Sequence, residues 1–127
     1  MAAERLGLLA RWLEEVAAKI RELESQARIV IEEQGDQKGY EALMREKALL
    51  LAGLGEEAAE RLEGAGGAEV ERVLARLERF SSSAAMALDV GSVFFMSALL
   101  YPEDYVAGDN NDLENFILSV RVASAGE

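Results

Sequence analysis

The chain of 127 residues contains neither histidine nor cysteine. That double absence excludes zinc sites of the usual Cys/His kind, thiol catalysis, disulfide frameworks and the Ser-His-Asp triad. It also excludes a di-iron centre built on Glu-x-x-His, the motif a helical protein would otherwise invite. Proline occurs once, at Pro102, so no proline ring interrupts a helix before that point. Cations are scarce where the chain is most apolar, because residues 80–127 carry Arg121 alone against seven acidic groups. The whole chain has 13 basic and 24 acidic residues, a net charge of −11, and is expected to be repelled by nucleic acid and by anionic membranes. No nucleophile–base pair is evident, so neither catalytic residues nor a metal or other cofactor are expected. A partner should be another protein, met through apolar surface or through the partner's own basic groups.

Half of the residues are hydrophobic and 29% are charged, which excludes a disordered chain. The length suits one domain over residues 1–127. Met1 to Arg5 runs directly into a charged amphipathic pattern, so no secretory leader is expected. The longest apolar stretch, Ala84 to Tyr101, is interrupted by Asp89, Ser92 and Ser97. It is short for a membrane span and reads as a buried helix.

Hydrophobic periodicity predicts an all-α fold with helices at about 4–33, 40–62, 68–100 and 112–123. In the first, Leu6, Leu9, Leu13, Val16, Ile20, Leu23, Ala27 and Val30 alternate steps of three and four. The segment Gly35 to Gly39 supplies a turn, and Gly64 to Gly67 a second. The second helix gathers Tyr40, Leu43, Met44, Leu51, Leu54, Ala58 and Leu62 on one side, with Lys47 in the middle of it. Lys47 is expected to pack its stem and extend its ammonium to water. The third helix carries one stripe, Val70, Val73, Leu74, Leu77, Phe80, Ala84, Leu88, Gly91, Phe95 and Ala98, and, after Ala84, a second on the opposite side: Met86, Asp89, Val93, Met96 and Leu100. The fourth, with Leu113, Phe116, Ile117 and Val120 on one side, begins with Asn111 as N-cap and Glu114 three positions on. The expected assembly is an antiparallel bundle of three long helices with the short fourth folded over the second stripe. Those nine residues of the second stripe and the fourth helix form the expected partner-binding surface. Its occupant is a client's amphipathic helix or the same surface of a second copy in a homodimer.

Other motifs have plainer readings. Glu56, Glu57 and Glu60 match the E-E-x-x-E element that holds Mg²⁺ in helical pyrophosphohydrolases. Such a site needs a further carboxylate pair, usually E-x-x-D, on a facing helix; none is expected here, and the triplet is expected to solvate a helix face. Asp109 to Asp112 resembles the start of a calcium loop, but the N-cap reading uses the same residues and needs no ion. Asp89 is expected at an exposed edge. Ser81, Ser82 and Ser83 are expected to bond the preceding turn of their own helix and bend it.

Glu33-Gln34-Gly35-Asp36, followed by Leu43-Met44-Arg45-Glu46-Lys47-Ala48-Leu49-Leu50 and Leu54, resembles the middle of flagellar export chaperones of the FlgN type. In that family a Gly-Asp turn leads into a helix with a Glu-Lys pair followed by leucines. The likeness spans about residues 33–62. It implies a cytosolic, non-enzymatic helper that masks an amphipathic helix of a type III export client. The third helix departs from the family's polar, Asn- and Arg-rich pattern, ending apolar and free of cations. A self-associating structural or regulatory bundle is the alternative.

Overall fold

A computed structural model describes residues 2–125. They form α1 (Ala2–Glu32), α2 (Gln37–Ala52), α3 (Leu54–Arg61), α4 (Ala68–Val90), α5 (Val93–Ala98) and α6 (Asp112–Ala125). No strand occurs among the described residues, so the all-α expectation holds. No described helix is long and apolar enough to cross a membrane.

The first helix is a single rod of 31 residues whose Leu6, Leu9, Leu13, Ile20, Leu23 and Ala27 are buried, as their spacing predicts. The second begins three residues earlier than expected. Asp36 caps it, its Oδ1 accepting the Gly39 N–H at 2.9 Å. A Cβ at Gly39 would collide with that carboxylate, so the glycine belongs to the cap and not to the preceding turn.

Each of the two central helices expected to be continuous is broken. Residues 40–62 divide between α2 and α3 around Gly53. A break strands a carbonyl on one side and an amide on the other, and Ser81 of α4 serves both. Its buried hydroxyl donates to the Leu51 carbonyl at 3.0 Å and accepts the Gly55 N–H at 2.8 Å. The serine thus bonds across to a neighbouring element instead of to its own preceding turn.

Residues 68–100 divide between α4 and α5. Gly91 adopts the left-handed conformation, φ 70°. Its N–H donates to Leu88 O at 3.1 Å and that of Ser92 to Ala87 O at 3.2 Å, the paired bonds of a Schellman stop. Ser92 then caps α5, its Oγ accepting the Phe95 N–H at 3.1 Å. A stop and a start in consecutive residues turn the chain, which a reading by periodicity alone carried straight through.

The longest helix packs against α2 on one side and α6 on the other, while α4 packs against α2 and α3. The pairs Arg21–Glu114 and Glu14–Arg121 show that α1 and α6 run antiparallel. Leu113, Ile117 and Val120 are buried in the main core with Leu6, Leu13, Leu54 and Leu77, and Phe116 meets Phe80 of α4 edge-on at 5.9 Å. The last helix is therefore part of the core and does not lie as a cover over Met86 and Val93. Its reciprocal cap is present: Glu114 N–H donates to Asn111 Oδ1 at 2.9 Å, and Asn111 N–H to Glu114 Oε1 at 2.8 Å.

Candidate functional site

The nine residues expected to bind a partner do not share one face. Met86 and Asp89 are exposed, Val93 and Phe116 are half-buried, and Met96, Leu100, Leu113, Ile117 and Val120 are buried. Met96 closes a small second core with Ala27, Met44, Ala48 and Ala87. Leu100 reaches the main core from a left-handed backbone, φ 79°, a conformation that costs a non-glycine residue about 1 kcal/mol or more. The turn at Gly91 brings other residues outward, and with them Phe95, which its spacing had placed on the first, core-facing stripe. Met86, Val90, Phe94 and Phe95 are exposed by 66, 64, 74 and 51%, with the two rings 5.9 Å apart. This α4–α5 corner is the surface that a straight helix concealed. The dipeptide Gly91-Ser92, a favoured stop followed by a favoured cap, is the sequence signal that marks it.

The second feature is a polar centre beneath a cleft. Lys47 is completely buried, which overturns the expectation that its ammonium reaches water. Its Nζ lies 3.0 Å from Glu24 Oε2, donates to the Ser97 carbonyl at 3.0 Å, and sits 5.0 Å from the centre of the Tyr101 ring. The Tyr101 hydroxyl donates to Glu24 Oε1 at 2.6 Å and accepts from Arg21 at 3.3 Å. Arg21 in turn grips both oxygens of Glu114, at 2.7 and 3.1 Å, and reaches the Tyr105 hydroxyl and the Asp109 carbonyl. One chain of charge and hydrogen bonds therefore joins α1, α2, the α5–α6 connection and α6.

The electrostatics follow from burial and pairing. Burial pushes Lys47 below the usual lysine range, and the Glu24 carboxylate beside it opposes that shift. Burial raises the Tyr101 phenol, and its hydrogen bond to Glu24 raises it further. The Arg21 guanidinium holds Glu114 below the usual carboxylate range, with help from the Asn111 N–H. Glu114 holds Arg21 above its own range. Lys47 lies under the cleft without lining it, so its lowered basicity is not presented to a substrate. Sequence reasoning placed Lys47 on the apolar side of its helix correctly. Its partners, 23, 50 and 54 residues away, carry no local signal.

The remaining candidates are accounted for by local structure. Glu56, Glu57 and Glu60 are exposed on α3, with Glu57 paired to Arg61 at 3.3 Å. Contrary to expectation an E-x-x-D spacing does occur, from Glu33 to Asp36, but it lies wholly in the turn between α1 and α2 and not on a facing helix, and Asp36 is engaged as a cap. Asn111 is buried in the capping box, with Nδ2 lacking an acceptor. Asp89 is exposed beside Val90. Compared with protein-family models, with curated proteins and with solved structures, the chain matches none of them.

Proposed function

We propose that this protein is a non-enzymatic binding module that receives the apolar face of a basic-flanked amphipathic helix on the α4–α5 corner. The observation that carries the reading is the exposure of Met86, Val90, Phe94 and Phe95, each by more than half, within ten residues of chain. Isolated exposed hydrophobics are ordinary, but four large ones grouped around one turn are the mark of a binding surface. Met and Phe supply adaptable and rigid contacts respectively, the combination used in helix-in-groove recognition. Charge selects the occupant. The chain as a whole carries a net charge of −11, and Arg121 is the one basic residue in 80–127. A cationic helix is drawn to a protein of that charge, whereas a second copy brings another −11 to the encounter. Masking of a client helix in the cytosol, the role implied by the FlgN-type resemblance, is one form of this activity.

Fluorescence anisotropy with a labelled leucine–lysine amphipathic peptide tests the reading. Binding should weaken with salt and fall about tenfold or more in Phe94→Asp, a substitution at an exposed site that leaves the melting temperature in place. The proposal is wrong if Phe94→Asp and Val90→Asp both bind the peptide as the parent does. Sedimentation showing a dimer lost in the same variants would favour self-association instead.

A further inference from the structure

The cleft over the polar centre has a volume of about 590 Å³ and lies between α1, α2 and the α5–α6 connection. That volume falls within the range of small-molecule sites. Its α1 wall is a single stripe, with Arg21, Glu24, Ser25, Arg28 and Ile31 at helical spacing. Most of the charge in and under it is consumed internally. Arg21 is taken by Glu114, and Lys47 and Glu24 are taken by each other. Arg28 is different, since it has no ion pair or side-chain hydrogen bond among the described residues. In a protein of net charge −11, this cleft therefore presents one uncommitted cation. Around it the lining is mainly aromatic and apolar, Tyr40, Tyr101 and Tyr105 with Ala27, Ile31 and Met44, and Ser97 adds a polar group.

We infer that the cleft binds a small aromatic monocarboxylate. Its carboxylate would pair with the Arg28 guanidinium, and its ring would lie against the tyrosines and Met44. The chemistry discriminates among ligands. A cation would meet the uncommitted Arg28, and a dianion would find only one free guanidinium. A purely aliphatic acid would forgo the aromatic contacts that three tyrosine rings offer. The site is separate from the α4–α5 corner, for Ser97 lines the cleft while Phe94 and Phe95, on the same short helix, face water.

Amide chemical-shift mapping on the full chain, titrated with indole-3-acetate and 2-naphthoate, is the test. Shifts should concentrate at residues 21–31, Tyr40 and 97–108. Tryptamine, which carries the same ring with the opposite charge, should produce none there. Arg28→Glu should weaken binding of both acids by about tenfold or more, with an unchanged melting temperature because the side chain is exposed and unpaired. The inference fails if neither acid shifts these residues at millimolar concentration, or if the shifts centre on Met86 to Phe95. It also fails if tryptamine or the Arg28→Glu variant binds as well as the parent pair.

Discussion

Removing the Glu24 carboxylate should be among the most damaging single changes in this protein. Glu24→Leu leaves the Lys47 ammonium, wholly buried, with only the Ser97 carbonyl and the face of the Tyr101 ring. Breaking a buried pair from one side costs about 3–5 kcal/mol, a large share of the 5–15 kcal/mol typical of a domain. For a chain of this length that lowers the melting temperature by roughly 10–20 °C. The lysine has an escape, which is to lose its proton. Burial already pushes Lys47 below the usual lysine range, and Glu24 is the main group opposing that shift. In the variant the penalty should therefore be greatest at low pH and shrink as the solution becomes alkaline. Glu24→Leu combined with Lys47→Met removes both charges and should recover most of the loss. A deficit of about 1 kcal/mol should remain from the Tyr101 hydroxyl, which then lacks its acceptor. Urea unfolding followed by circular dichroism at several pH values measures all of this. The reasoning is refuted if Glu24→Leu costs less than about 1 kcal/mol, or if the double variant is no more stable than the single.

Three further outcomes are expected. Ser81→Ala strands both the Leu51 carbonyl and the Gly55 amide at the α2–α3 break and should cost about 1–3 kcal/mol in the same unfolding assay, while Ser82→Ala, exposed, should cost almost nothing. Gly91→Ala forces a Cβ into the left-handed stop at φ 70° and should lower stability by about 1 kcal/mol, whereas Gly66→Ala, with open space around it and no positive φ, should not. Glu114 titrates below its unfolded value, so its pairing with Arg21 contributes stability above that value and loses it as pH falls through the folded one. Stability should therefore decline as pH falls through and below the usual carboxylate range, and Glu114→Gln should flatten that limb when unfolding is measured across it.

Glycine turns and apolar rhythm were enough to read the class of this fold, because helix faces are local. Leu6, Leu9, Leu13, Ile20, Leu23 and Ala27 are buried where a period of three and four puts them, Val16 and Val30 of the same series are half-buried, and Asn111 and Glu114 form the cap their separation of three allows. The corner at Gly91-Ser92 was legible as well, in its stop-and-cap chemistry, but periodicity across residues 84–100 outweighed that signal. What lay beyond the sequence depends on which helices become neighbours. Lys47 reads as a lysine whose stem packs on the apolar side and whose ammonium reaches water until α1 brings Glu24 to it, and Ser81 reads as a bend until α2 breaks opposite it. The last helix carries an apolar face that suits any apolar groove. Only packing chose α1 for it, and with that choice Phe94 and Phe95 were left in water while Arg21 drew Glu114, Tyr101 and Tyr105 around the cleft.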